Sequence, residues 1–429
     1  MAARLKGLWQ NLLSGLWFVP GCVAAAYVLL AIALTAIEAR MGPQGANFGF
    51  TGSAGVAGTL LSTVAGSLIT VTGLALSLTI VTVQLVSAQF TPRAIGNFLG
   101  DRAIQLITGA LIGTFAYCLL VLRVLRAAGE GHPEFVPAFA ISLAIVLSLA
   151  AIGLLVVFVH RVSQMIQVTA ISRAIAKRTL ASIDRIYPDP YRHPEPEPAP
   201  AVEPGPSGTG AIEVEAQKMG YARQIGLEAI AAAASQDARI EVLVPRGSFV
   251  TELTVIARVR GQPGDAEVVR QALVVAADRH LEHDAGFGLQ QLSDIALRAL
   301  SPGINDPSTA LTCISYLQAL LERLVAREMP RRMAGISGAL VTARRDDFGG
   351  LVEPLLAGLG RYAAADAGVA AALLEAIAAI SRRAEAAGAP SRAAALRTTA
   401  AEIRDAALER AATESDRASL REAGSRQGG

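Results

Sequence analysis

Charge is what the first third of this chain lacks. Residues 41–92 hold no Asp, Glu, Lys or Arg, and the stretches 7–37, 103–122 and 135–159 are equally free of them. A water-soluble domain of that length has no use for such stretches, because its exposed faces need polar side chains. A spanning helix does: it takes about 20 apolar residues at 1.5 Å each, and a charge at its centre costs roughly 2.5–3.5 kcal/mol. Cysteine is also scarce. Cys22, Cys118 and Cys313 are the whole set, too few and too scattered for a disulfide framework or a thiolate metal motif, which points to a reducing surrounding for the soluble part. A net charge of +2 gives no reason to expect a nucleic-acid partner. No nucleophile–base pair, phosphate-binding glycine loop or metal-ligand set is visible, so an enzyme is not expected and no cofactor is implied.

What is present divides the chain in two. The fold class predicted is mainly α, a four-helix transmembrane domain followed by a cytoplasmic α+β region made of a small β-rich module and a helical bundle. The spans fall at about 17–37, 60–86, 103–122 and 135–159. Before them, Leu5, Leu8, Trp9, Leu12, Leu13 and Leu16 recur at helical spacing opposite Arg4, Lys6, Gln10 and Asn11, a pattern suited to a helix in the interface over residues 1–16. Arg4 and Lys6 ahead of an apolar run ending in Gly21 and Cys22 imitate a lipoprotein signal, but apolar residues continue well past Cys22, so an uncleaved anchor is expected.

Lysine and arginine near the span ends set the orientation. With the N-terminus inside, the inner side receives Arg4, Lys6, Arg93, Arg102, Arg161, Arg173, Lys177 and Arg178, against Arg40, Arg123 and Arg126 outside. The prediction is a multi-pass protein of a bacterial inner membrane with both termini cytoplasmic. Arg93 and Arg102 border an inner-surface turn at Pro92 and form a basic membrane-surface pair.

The second span is unlike the others. Thr59, Thr63, Gly66, Thr70, Gly73, Ser77 and Gln84 mostly fall three or four apart and share one helix face, while Leu60, Leu61, Ile69, Leu76, Leu78 and Ile80 cover the rest. Small residues and hydroxyls suit helix packing. In a homo-oligomer the same face could line a wet pathway, its hydroxyls replacing part of an ion's hydration shell. The lipid bilayer and further copies of the chain are the partners expected; the sequence names no ion or small molecule.

Past the spans, residues 161–187 read as a connector helix continuous with the fourth span, with His160 at the boundary. Residues 188–210 hold eight of the 20 prolines and read as an extended linker. Residues 211–262 read as a small β-rich module, with strands at Lys218–Ile225, Arg239–Val244 and Val250–Val259, a short helix at Leu227–Ala234 and the turn Pro245-Arg246-Gly247-Ser248; the turn resembles half of a lipoyl-type sandwich, but no lysine stands there to carry a prosthetic group. Residues 263–412 read as helical throughout and 413–429 as a loose tail. Within the helical part, Ser301, Pro302 and Gly303 stop one helix, and Asp306 with Pro307 can start the next. Exposed amides at that start could bind an anion against Arg279 or Arg298, while Asn305 and Asp306 equally suit a tight structural turn. His280 and His283 have metal-ligand spacing without a third ligand, a weak metal candidate.

Several stretches together carry a family resemblance: GLWFVP at 15–20, LSTVAGS at 61–67, SAQFTPR at 87–93, GTFAY at 113–117 and ALSPGINDP at 299–307. In these the chain resembles the bacterial predicted membrane proteins grouped as domain of unknown function 2254. That resemblance implies a four-span inner-membrane protein with a cytoplasmic C-terminal region. It implies no established activity and assigns no functional residue. Family members usually carry Arg-Thr where Arg279 and His280 stand and Gln-Asp where His283 and Asp284 stand, a departure that weighs against a metal role.

Overall fold

A computed structural model describes residues 17–41, 49–89, 102–125, 135–165, 167–191, 211–279, 281, 284–329, 333–336, 338–343 and 348–425. The interfacial helix expected over 1–16, Arg93, His280, His283 and most of the proline-rich linker lie outside these residues. The chain forms two compact units, divided after Ala170.

The first unit holds four helices, α1 (Phe18–Met41), α2 (Ala54–Gln89), α3 (Arg102–Val124) and α4 (Ala138–Met165). Each is long and apolar enough to cross a membrane. Large apolar side chains cover their outside, including Leu29, Leu74, Leu149, Ile152 and Val156, an exposed apolar area that hydrocarbon tolerates and water does not. The inside is organised around α3, of which 67% of the most apolar window is buried against 17–22% for the other three. Its sequence explains that place. Gln105, Thr108 and Thr114 are buried, polar groups that lipid would penalise and a helix bundle can satisfy. Gly109 and Gly113 let α1 approach: a Cβ built on Gly109 would sit 2.9 Å from the Pro20 Cα, and one on Gly113 would sit 2.8 Å from the Tyr27 ring.

One acid lies inside this unit's described helices. The Glu38 carboxylate accepts hydrogen bonds from the amides of Phe139 (2.6 Å) and Ala140 (3.1 Å), and the Tyr117 hydroxyl donates to the Ala140 carbonyl at 3.0 Å. Glu38 therefore caps the start of α4, placing negative charge at the positive end of its dipole and satisfying two amides with no partner in their own helix.

The second unit begins in α5 (Val168–Ile186), which starts three residues after α4 ends. The connector is thus two helices rather than the one continuous helix expected. Then follow β1 (Ile212–Glu215), β2 (Gly220–Ile225), α6 (Leu227–Ala233), β3 (Arg239–Val242), β4 (Phe249–Val250), β5 (Val255–Arg260), α7 (Pro263–Ala272) and β6 (Leu273–Ala276). The helical part is α8 (Ala285–Ala299), α9 (Pro307–Val325), α10 (Phe348–Ala363), α11 (Ala367–Ala386), α12 (Pro390–Arg410) and α13 (Glu414–Ser425), interrupted by the hairpin β7 (Met333–Ile336) and β8 (Ala339–Ala343).

The strands make a five-stranded sheet in the order β1-β5-β3-β8-β7 and a three-stranded sheet in the order β4-β2-β6. All pairings are antiparallel except β3 with β8, where Arg239 faces Leu340 and Val242 faces Ala343. Ile240, Val242, Val250, Ile256, Val259 and Val341 fill their shared core. Here the structure departs from the expectation of unbroken helix after 262. β6 follows α7 without a breaker, and β8 alternates buried Ala339, Val341 and Ala343 with half-buried neighbours, a strand rhythm that stands among helices in sequence but completes the sheet in space.

Residues 413–425 also differ from the expected loose tail. Thr413 and Asp416 form a reciprocal cap, each amide donating to the other's side chain, and Leu420 and Ala423 of α13 are buried. The start of the proline-rich linker is tied down as well: Tyr191 N donates to the Ala326 carbonyl, and Glu328 N donates to that of Asp189.

Candidate functional site

α2 carries two stripes of small residues on different faces. Ala54, Ala57, Leu61, Ala65, Leu68, Thr72, Ala75 and Thr82 are buried and pack into the bundle. Thr59, Thr63, Gly66, Thr70, Gly73, Ser77 and Gln84 are all exposed. The packing inside the chain is thus done by the alanine stripe, and the hydroxyl stripe faces outward. Nothing comes within 4 Å of a Cβ built on Gly66 or Gly73. Val56, Ile69, Leu74, Leu78, Ile80 and Val81 are exposed beside the stripe. Gly55, Val56, Thr59, Leu60, Thr63 and Val64 line a shallow depression at its head.

The hydroxyls have a common orientation. Thr59 donates to the Gly55 carbonyl (3.0 Å), Thr63 to Thr59 (2.8 Å) and Thr70 to Gly66 (3.0 Å), each one turn back along the helix. The hydrogen is consumed within the helix. The remaining oxygen lone pairs are what each hydroxyl offers to anything outside. Over the whole stripe, 25 residue steps correspond to about 38 Å, comparable with the ~30 Å hydrocarbon core.

Arg102 is exposed at the first position of α3, while Arg93, its expected companion, lies outside the described residues. The polar corner of the second unit is a closed hydrogen-bonded turn. The Asp306 carboxylate accepts from the amide and hydroxyl of Thr309, and the Asp306 amide donates to the Ala299 carbonyl at 2.8 Å. Ser301 donates to the Arg298 carbonyl at 2.6 Å, and Asn305 takes a left-handed backbone, φ 46°, that Asn adopts more readily than most residues. The α9 amides that an external anion would need are served by Asp306 itself.

Arg279 is engaged elsewhere. Its Nε and Nη2 lie 2.8 and 2.6 Å from Asp284 Oδ2, whose partner oxygen caps α8 by accepting from Phe287 N. The guanidinium also lies 5.0 Å from the Phe287 ring centre. Gly247, φ 80°, closes over this pair; a Cβ there would strike both side chains. The turn at 245–248 is therefore shaped by its contact with Arg279 and Asp284. Among the described residues no group of three or more His, Cys, Asp or Glu is placed to hold a metal, and His280 and His283 lie outside them. Burial pushes the Cys313 thiol up to about 11, Asp306 adding to the rise and a hydrogen bond with Ser172 opposing it, so it stays protonated and unreactive at neutral pH.

Four apolar helices around a small-residue core, followed by an α+β unit, define an integral membrane protein of the α-helical class. The chain belongs to the family described as "Predicted membrane protein", domain of unknown function 2254, whose model matches residues 14–379. Similar curated proteins include uncharacterized proteins of Mycobacterium bovis and of Mycobacterium tuberculosis strain H37Rv, each 29% identical over 97% of this chain and 81% of the relative. No solved structure matches the chain.

Proposed function

We propose that the protein is a homo-oligomer of the bacterial inner membrane in which the outward face of α2 borders a passive path for ions or small polar solutes. The C-terminal unit, on the cytoplasmic side, regulates that path through α5. The observation that carries this reading is the exposed stripe of Thr59, Thr63, Gly66, Thr70, Gly73, Ser77 and Gln84, long enough to run through the hydrocarbon core and absent from the packing of its own bundle. Because the hydroxyl hydrogens of Thr59, Thr63 and Thr70 point into the helix, these three offer acceptors, which favours cations and hydrogen-bond donors over anions.

A second reading is a membrane-anchored scaffold or ligand sensor without transport. The internal hydrogen bonds of Thr59, Thr63 and Thr70 support it, since a satisfied hydroxyl does not require water. Flux into liposomes holding the purified full-length protein separates the two. Permeation predicts a leak of potassium or of a small neutral solute above that of empty vesicles, reduced at least tenfold in Thr70→Leu and Ser77→Leu variants. Wild-type flux equal to empty vesicles, or unchanged flux in both variants, removes the pathway.

A further inference from the structure

We infer that the outer face of the three-stranded sheet β4-β2-β6 is an interface between two copies of this chain. The strand registers assemble that face. Tyr221 pairs with Phe249 on one side and with Ala276 on the other, so the three form a row across the sheet, and the Tyr221 and Phe249 rings meet edge to face at 5.2 Å. Alternation turns their neighbours Ala222, Val250 and Val275 into the core and sets Met219 and Val274 on the side of the row. Met219 is 69% exposed, Phe249 55% and Val274 47%, and Leu253, in the turn after β4, is 78% exposed.

An antiparallel sheet with one face on a core ordinarily carries polar residues on the other. The five-stranded sheet of the same unit does so. Its outward positions hold Arg239 and Glu241 on β3 opposite Arg260 and Arg258 on β5, with Arg258 in ion-pair reach of Glu213 and Glu241. The three-stranded sheet breaks the rule, and contiguous exposed apolar surface of that kind marks an interaction site.

Charge and area select a second copy as the occupant. Glu252 and Asp278 stand with Lys218 at the end of the sheet beyond Met219, and Arg223 and Arg246 stand at the opposite end; the bonds from Gln217 N to the Glu252 carbonyl and from Gly247 N to that of Ala222 fix these places. A half-turn about the row Phe249, Tyr221, Ala276 lays each strand on its own copy in reverse. The net negative end then meets the positive end twice, and Glu252 faces the partner's Arg246. The strands of the two sheets stay aligned, as face-to-face packing requires. Each copy brings roughly 400 Å² of apolar area on side chains of this size and exposure, close to the ~56–58% non-polar share of the ~800 Å² that one partner buries in a standard interface. Nothing in this rests on the α2 pathway, and flux and cross-linking report on the two separately.

Cysteine cross-linking of the full-length protein in liposomes tests the pairing. Cys118 and Cys313 are buried and Cys22 is exposed, so a Cys22→Ala background receives one new thiol, either Ala276→Cys on the row or Arg383→Cys, exposed on α11, and is treated with a short bismaleimide. The expected result is a covalent dimer at 276 and little at 383. Adding Phe249→Ser and Val274→Ser should lower the dimer yield at 276 several-fold with an unchanged melting temperature. Glu252→Arg and Arg246→Glu should each lower it as well, and the two together should restore it, because the exchanged ends still match; this exchange removes no packed apolar group and keeps the test valid if the serine variant disturbs the fold. No dimer at 276, equal dimer at 383, a yield unmoved by the loss of Phe249 and Val274 in a folded protein, or a combined exchange no better than either single one would overturn the assignment. So would a thiol at 276 shielded from a monofunctional maleimide in protein that stays monomeric, which would give the face to another segment of this chain.

Discussion

Replacing Gly109 by alanine tests the reasoning that places α3 at the centre of the membrane unit. The added Cβ would lie 2.8 Å from Val23 Cβ, 2.9 Å from Pro20 Cα and 3.0 Å from Pro20 O. Two of those three atoms are main chain, and no rotamer change moves them. α1 and α3 must part by roughly half an ångström, a gap that forfeits a quarter to a half of the dispersion well for each contact along the seam. Overpacking of this kind costs about 1–3 kcal/mol, and alanine recovers up to about 1 kcal/mol of helix propensity in exchange. The net expectation is a loss of about 1 kcal/mol for Gly109→Ala and several kcal/mol for Gly109→Leu. Gly73→Ala is the matched control, because its Cβ meets nothing within 4 Å and keeps the propensity gain. Unfolding of the purified protein in mixed micelles, followed by helical circular dichroism against denaturant, reads the difference. A Gly109→Leu protein as stable as the Gly73→Ala protein would refute the close contact of α1 with α3.

Two further predictions concern the second unit. Arg392 is buried, donates through Nη1 to the carbonyls of Val325 and Arg327 at 2.8 Å each, and lies 4.5 and 5.2 Å from the ring centres of Tyr191 and Phe348; Arg392→Met should cost about 1.5–3 kcal/mol in chemical denaturation, and Arg392→Lys should restore it only in part, since an ammonium can serve the carbonyls but lacks the planar guanidinium that lies over the two rings. Asp265 is buried, and burial pushes its carboxyl up, but the Ser235 hydroxyl and amide and the Gln262 amide outweigh that and hold it below its ordinary range. A depressed folded-state value stabilises the fold above the unfolded value near 3.9 and stops doing so as pH falls through the folded one. Asp265→Asn should therefore lower the melting temperature at pH 7, and its deficit against wild type should shrink as the pH falls below about 4; a deficit constant with pH would sink the explanation.

The four spans were legible because length and charge depletion act over 20 residues and need no knowledge of partners. Which face each helix buries was harder to read. On α2 the alanine and threonine–glycine stripes are both small and regularly spaced, and nothing local says that Ala57, Ala65 and Ala75 turn inward while Gly66 and Gly73 turn out. Glu38 carried a signal that could have been used, a lone acid next to an apolar run, but its partners are about a hundred residues away in Phe139 and Ala140. The same distance hid β8, whose neighbour β3 lies on the other side of α8 and α9 in the chain. The turn at Asp306 could be read locally, because an Asx cap followed by Pro307 is complete within a few residues. The Arg279–Asp284 pair was also within reach of sequence, five residues apart, but its contact with Gly247 was not. The helical end of the chain was available in the Thr413–Asp416 capping pattern, outweighed there by a polar composition that only burial of Leu420 and Ala423 overrides.

The geometry of α2 also constrains how a path along it could open and close. Its 36 residues correspond to about 54 Å, far more than the hydrocarbon core requires, so the helix either tilts or projects beyond the bilayer. The seven-residue rhythm of Thr63, Thr70, Ser77 and Gln84, interleaved with a second one of Thr59, Gly66 and Gly73 that starts four residues earlier, is the spacing of a left-handed seam between like helices. Copies that close on that seam bring glycines together and exclude water; copies that separate slightly leave threonine oxygens facing one another across a wetted gap. Small residues make both arrangements possible at modest cost, because neither large apolar groups nor buried charges have to be moved. Gly66→Leu and Gly73→Leu leave the single-chain fold intact, since a Cβ at either position meets nothing within 4 Å, but they fill the wetted gap with apolar bulk as Thr70→Leu and Ser77→Leu do, and the permeation reading requires their flux in liposomes to fall as well.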